Sequence, residues 1–356
     1  MGLSSLEINH FRNLQSVKIK PDADLNLIIG KNAAGKTSLL EAIFYLSYGR
    51  SFRSSQIKHL IAYDEASFRL ICNLDDTTTR IGLQRDFKEQ TIRVNREPIS
   101  RISELSTLLP VLVLHPDSHQ LITAGPENRR QFMDWGVFHV EHHFIVSWKK
   151  YKKALSQRNA ALRLQQPDKL CSLWNKELIE HALLIEKYRR TYLNEISEKV
   201  EQLSKELFPD ILISLTYKRG WPDDIDFEDY LNQSLFKDRD KGFTQSGPHR
   251  ADIKITVNGK SAQSSISRGQ QKKLVSLLKI AQLSFFSKLS ERRCILLYDD
   301  LPAELDESNQ NKILSILSKL NIQLFVTAIE RHQINYKNWK SHKVFHVEHG
   351  NITEIE

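Results

Sequence analysis

The eight residues Gly30-Lys31-Asn32-Ala33-Ala34-Gly35-Lys36-Thr37 satisfy GxxxxGK[ST] at every fixed position. Small residues in such a loop let successive backbone N–H groups curl around phosphate oxygens. The Lys36 ammonium then reaches β- and γ-phosphates, and the Thr37 hydroxyl can ligate Mg2+. A carboxylate is needed to complete the metal shell, and the apolar run Cys294-Ile295-Leu296-Leu297-Tyr298 ends on Asp299 and Asp300. There Asp299 would hold Mg2+ through water, and Asp300, one residue on, would polarise an attacking water. Between loop and acids, Ser265-Ile266-Ser267-Arg268-Gly269-Gln270-Gln271 opens a long helical pattern. Ser267, Gly269 and Gln270 therefore stand at a helix N-terminus, where donors can face an anion. The set implies ATP with Mg2+, and Lys36 and Asp300 as residues that act on it, while the Ser267 segment read alone could equally be a plain helix cap.

These residues need elements to position them. DLNLIIG is a short buried strand feeding the loop, and KTSLLEAIFYLSYG reads as an amphipathic helix stopped by Gly49. LSSLEINHF and SVKI alternate, as do SFRLICNL, TTRIGLQRDF and QTIRVN, which predict an antiparallel meander. VLVLH is a further apolar strand. From about Gly125 the period becomes helical and stays so to about Phe208, interrupted by Gly136, Pro167 and Pro209, too short and broken for a long coiled coil. Strands return with ILISLTY and with ADIKITVNGKSAQ, where Asn258-Gly259 is a hairpin-turn dipeptide. A helix, CILLYDD, a second helix, QLFVTA and a closing hairpin, KVFHVEHGNITEIE, complete the chain. The expected architecture is α/β: a head from residues 1–122 and 244–356, with a mainly helical lobe, 123–243, inserted between.

No apolar run approaches the roughly 18–20 residues that cross a bilayer, and the N-terminus lacks a leader's apolar core, so a cytoplasmic protein without membrane attachment is expected. Cys72, Cys171 and Cys294 are scattered among apolar neighbours and read as buried free thiols. Net charge is +8 over 356 residues, and the span 145–190 alone holds eleven Lys/Arg against four Asp/Glu. A clustered excess is the footprint of a polyanion binder. Lys149, Lys150, Lys152, Lys153 and Arg158 are the expected DNA contacts. Charge alone fits a solvated helix face equally well.

Ser267-Arg268-Gly269-Gln270 resembles the LSGGQ signature of ABC-type ATPases, with Arg in place of the first glycine. Ala303-Glu304-Leu305-Asp306 resembles their D-loop, and Thr327 stands where transporter ATPases carry a switch histidine. Phe11-Arg12-Asn13, the phosphate loop, SRGQQ, DDLPAELD and the strings YGRSFR, DWGVFH, QRNAALR and GPHRAD, in order over the whole chain, resemble the RecF family of bacterial recombination-repair ATPases. The resemblance implies a Rad50-like ABC-type head, makes Ser267 a catalytic residue and Ser267, Gly269 and Gln270 contacts to a γ-phosphate, and adds Arg12 and Asn13 to the nucleotide-binding set. It also implies ATP-dependent homodimerisation on single-stranded, duplex or gapped DNA, slow DNA-stimulated hydrolysis, and cooperation with RecO and RecR in loading RecA at gaps.

Phe-His-Val-Glu-His occurs at 138–142 and again at 345–349. A helix through the first would align His139 with His142 and His143, whereas a strand through the second separates His346 and Glu348 from His349. This difference in geometry makes aromatic or polar packing the better reading than a repeated metal site. Trp148, Tyr151, Trp174, Tyr188 and Tyr192 could stack on bases but carry core spacing, and His249-Arg250 could meet a phosphate. Two alternatives stay open: a transporter ATPase subunit, which the 231 residues from Lys36 to Ser267 disfavour, and a DNA scaffold that holds ATP without turnover.

Overall fold

The computed structural model describes residues 2–75 and 78–356. The chain forms two compact units, residues 1–118 with 272–356, and residues 119–271.

The first unit contains two six-stranded sheets. One is antiparallel: Leu3–Phe11 lies between Leu14–Ile19 and Ser67–Leu74, followed by Arg80–Asp86, Gln90–Val94 and Glu97–Pro98. The second is parallel across His342–Glu348, Leu25–Ile29, Ile322–Ala328, Cys294–Tyr298 and Val111–Leu114, with Asn351–Glu354 antiparallel at one edge. Strands buried on both faces read as continuous apolar runs, and all five residues of Cys294–Tyr298 and all seven of Ile322–Ala328 are buried.

Helix Lys36–Tyr48 was expected to be amphipathic, but eleven of its thirteen residues are buried. Leu39, Leu40, Ile43 and Leu46 join residues of both sheets in one core, so no face of the helix is left for water. Gly49 ends it in the left-handed conformation, φ 60°, its N–H donating to the Tyr45 carbonyl.

The second unit packs helices Pro126–Val140, Phe144–Arg163 and Asn175–Leu207 with a three-stranded antiparallel sheet. Strand Asp252–Val257 is central in that sheet, paired to Ile213–Lys218 and to Lys260–Ser261. This pairing places residues 244–271 in the second unit, although the strand pattern after 244 had been read as a return to the head. Asn258 and Gly259 turn the hairpin with φ 49° and 77°, as a primed turn requires. The longest helix, Asn175–Leu207, has 33 residues and spans about 50 Å. Gly136 breaks no helix but lies within Pro126–Val140, and it leaves room for the Tyr192 ring, 2.0 Å from where a Cβ would lie. Helix Pro126–Val140 keeps His139 in its last turn but stops before His142 and His143: Glu141 is extended, and a new helix starts at Phe144. His139, His142 and His143 therefore share no helical face. All three cysteines are free and buried. Among the described residues no helix is long and apolar enough to cross a membrane.

Candidate functional site

In a parallel sheet, ligands meet the loops at the strands' C-terminal ends. Here that edge carries the phosphate loop after Leu25–Ile29, Asp299 and Asp300 after Cys294–Tyr298, and Thr327 near the end of Ile322–Ala328. Pairing of Val326 with Tyr298 and with Leu27 brings the three together.

The loop's path depends on its small residues. Gly30 has φ 150°, and a Cβ there would lie 2.3 Å from the Val347 carbonyl oxygen. Ala33 and Gly35 also have positive φ, 62° and 124°. Lys31, Asn32 and Ala33 form the exposed crest, with Ala34 half-buried behind them. The Ala34 carbonyl accepts from the Asn13 amide at 3.1 Å and from the Gly350 N–H at 2.9 Å, while Ser38 Oγ donates to Asn13 Oδ1 at 2.8 Å. Asn13 thus braces the loop. Lys36 Nζ donates to the Gly30 and Lys31 carbonyls at 2.6 and 3.0 Å, folding the ammonium across the loop. Burial lowers its pKa, an effect opposed by Asp300 and Asp299.

Thr37 Oγ1 lies 3.0 Å from both Asp299 oxygens. Asp299 is buried, and burial raises its pKa against the hydrogen bonds from Thr327 and Thr37. Thr327 Oγ1 donates to Asp299 Oδ1 at 2.9 Å and accepts from the Asp300 N–H at 2.7 Å. One hydroxyl therefore holds both acids. Asp300 itself adopts φ 55°, ψ 48°, which turns the chain sharply into Leu301–Glu304.

Arg12 is paired within the chain. Its Nε and Nη2 bind Glu41 at 2.6 and 2.7 Å, and Glu41 is fully buried in the helix behind the loop. Ser51 Oγ also donates to Glu41, and Arg53 Nη1 stands 3.7 Å away. Glu41, Ser51 and Arg53 were missed in the sequence. An acid inside the apolar run LLEAIFYL is a signal for them, because a buried carboxylate needs cations. Arg53, paired with Glu41, also favours the ionised form of Asp299.

Ser267 and Gln270 cap the helix Arg268–Leu289 reciprocally, Ser267 N donating to Gln270 Oε1 at 2.9 Å and Gln270 N to Ser267 Oγ at 3.3 Å. Ser267, Gly269 and Gln270 are exposed, and nothing lies within 4 Å of a Cβ built on Gly269. A ligand can approach from outside. Further along the same helix Lys272 pairs with Glu304 at 2.8 Å, and Lys273 with Asp306 at 2.9 Å, tying it to the segment after the acids.

Of the expected DNA contacts, Lys149, Lys150, Lys152 and Lys153 are exposed on helix Phe144–Arg163. Arg158 is not. It is fully buried, bonded to Asp238 at 2.8 Å, Asn175 at 3.1 Å and Thr244 at 2.5 Å. An arginine so enclosed serves packing and cannot reach DNA. Tyr151 and Tyr192 are buried as core, and Trp148 is half-buried under the Arg189 guanidinium, 5.1 Å from its centroid.

A phosphate loop closed by a strand of acids, with an exposed signature-like helix start on the same chain, defines an ABC-type P-loop ATPase head. The family model of the RecF/RecN/SMC N-terminal domain matches residues 2–353. The DNA replication and repair protein RecF of Shewanella loihica is 38% identical over all of both chains, and that of Cellvibrio japonicus 40% identical over 99% of each. The solved structure of the recombination mediator protein RecF-ATP in the RecFOR pathway superposes with a TM-score of 0.87 at 26% identity, covering 100% of this chain and 98% of that one. An Smc head bound to a ScpA domain, 16% identical over 100% of this chain and 97% of its own, shares the fold at a TM-score of 0.59. The chain belongs to the RecF family of DNA replication and repair proteins.

Proposed function

We propose that this chain binds ATP at residues 30–37, dimerises around it and hydrolyses it slowly while bound to DNA during recombinational repair and replication restart. The observation that carries the reading is the joining of Thr37 to Asp299 and of Asp299 to Asp300 through Thr327. These are the oxygens that phosphoryl transfer requires beside a loop lysine. Thr37 and Asp299 are hard oxygen donors that suit Mg2+ with retained waters. They would hold the ion, which would neutralise charge at the β- and γ-phosphates. Lys36 would leave its two carbonyl partners for the phosphates, and Asp300 would orient and polarise water.

One chain offers one loop and one exposed Ser267-Gly269-Gln270 helix start, so a two-fold homodimer supplies each γ-phosphate with donors from a partner copy. Arg12 and Asn13 support the loop from behind, through Glu41 and the Ala34 carbonyl. Lys149, Lys150, Lys152 and Lys153 present charge to DNA. Cooperation with RecO and RecR follows from the pathway of the similar solved structure. The test is a Lys36→Ala protein: nucleotide-dependent hydrolysis is expected to vanish while weak ADP binding through the loop backbone persists. Unchanged hydrolysis by a folded Lys36→Ala protein rejects the assignment.

A further inference from the structure

The turn Gly247-Pro248-His249-Arg250 in the second unit is held by an unusual number of buried groups. Arg189, fully buried and paired to Asp134, donates through Nη1 to the Pro248 carbonyl at 2.6 Å. Arg130 Nη1 donates to the Ala251 carbonyl at 2.9 Å. His249 Nε2 meets the Thr244 carbonyl at 3.0 Å, so it carries the proton, and Nδ1 accepts from the buried Tyr151 hydroxyl at 2.6 Å. Gly247 N donates to the Gly220 carbonyl, and neither glycine tolerates a Cβ: one on Gly220 would lie 2.3 Å from the Gly247 oxygen. Arg158 fixes Thr244 from the same side.

This anchoring presents one exposed cation, Arg250, stacked 5.4 Å over the Phe243 ring. Arg130 and Lys152 stand beside the same turn, Arg130 on the Ala251 carbonyl and Lys152 next in sequence to Tyr151, and the carboxylates of Asp252, Asp134 and Glu127 act on Arg130. The carboxylates of Asp252 and Asp134 are bonded to Arg129 and Arg189. Burial and the Arg189 charge lower the Arg130 pKa, and Arg250, Lys152 and Arg130 all act on His249. Burial holds His249 neutral, so it is a post for the turn and not itself an anion ligand. An anion beside these cations would relieve part of their mutual repulsion.

We propose that Arg250, Arg130 and Lys152 form a preorganised contact for the phosphodiester backbone of nucleic acid. The proposal rests on the reading of this chain as a DNA-binding protein; it takes Lys152 from the lysine run and adds Arg250 and Arg130, which lie outside it. The ligand is the phosphodiester and not free nucleotide, since the chain already carries a nucleotide loop at residues 30–37 and several cations on one face suit a polyanionic backbone.

The test is fluorescence anisotropy of the full chain on a labelled duplex between 50 and 200 mM salt, using Arg250→Ala, Arg130→Gln and a Lys149→Glu/Lys150→Glu/Lys153→Glu control. Glutamine keeps a donor for the Ala251 carbonyl. Each phosphate contact contributes about 0.9 to the log–log salt slope, so each of the two arginine variants should lose about threefold of the salt-induced drop in affinity. ATP binding should be unchanged in both. Unaltered affinity and slope in both arginine variants, with weakened binding in the lysine control, overturns the proposal and leaves the wider reading standing. A wild-type chain that does not bind the duplex even at 50 mM salt overturns the wider reading as well.

Discussion

Replacing Thr327 with valine removes the one hydroxyl that ties Asp299 to Asp300. Thr327 is fully buried in a strand with no exposed residue, so water cannot substitute for it. The variant loses a hydrogen bond to a carboxylate and leaves the Asp300 N–H without its acceptor. Together these should destabilise the protein by about 2–4 kcal/mol. The loss has a pH signature. Burial already raises the Asp299 pKa, and the Thr327 bond favours the ionised form, leaving only Thr37 as a hydroxyl donor in the variant. The Asp299 pKa therefore rises further. The stability gap from wild type is fully present above the variant's Asp299 pKa and narrows, as the carboxyl protonates at lower pH, toward the part owed to the orphaned Asp300 N–H. Asp300 would also drift, and a displacement on the order of 1 Å lowers turnover by about a hundredfold. ATP binding by the loop backbone should persist. Urea unfolding at several pH values and steady-state ATP hydrolysis read these effects, with Thr327→Ser, which keeps the hydroxyl, expected to restore turnover. Wild-type turnover and stability in Thr327→Val would refute the reasoning.

Arg158→Ala strands Asp238 without its partner in a closed interior and should cost about 3–5 kcal/mol in urea unfolding, with no change in the salt slope of DNA binding. His249 is depressed from 6.5 to about 4 by burial. An unfolded histidine takes up protons first as pH falls, so stability should be lost between about pH 6.5 and 4, by about 3 kcal/mol, and His249→Gln should flatten that limb. Arg53→Ala removes a cation that favours ionised Asp299 and should lower turnover while leaving the fold intact, read by hydrolysis alongside circular dichroism.

The phosphate loop was legible because its chemistry is local: fixed residues in sequence, between a strand and a helix. The acids were legible because apolar strands advertise their ends. Thr327 was noticed only as a departure, because its work joins two strands whose pairing no spacing in the chain reveals. Arg158 was misread although its spacing held the answer. It lies on the stripe Ser147, Tyr151, Ala154, Leu155, Arg158 and Leu162, the buried face of its helix, while Lys149, Lys150, Lys152 and Lys153 lie off it. Charge outweighed periodicity in that reading. The boundary near 244 failed for another reason. Strand Asp252–Val257 alternates as it would in either unit, and only its pairing with Ile213–Lys218 decides where it belongs.

Sedimentation velocity with ATP, ADP and a non-hydrolysable analogue tests the central claim most directly. The wild-type chain should form a dimer with ATP or the analogue and a monomer with ADP. Asp300→Asn should hold the ATP dimer, because binding is kept and water activation is lost. Ser267→Arg should bind ATP yet remain monomeric and inactive, since bulk and charge at the exposed helix start block a partner's nucleotide. A chain that stays monomeric with every nucleotide while hydrolysing at an undiminished rate, Ser267→Arg included, would contradict the account.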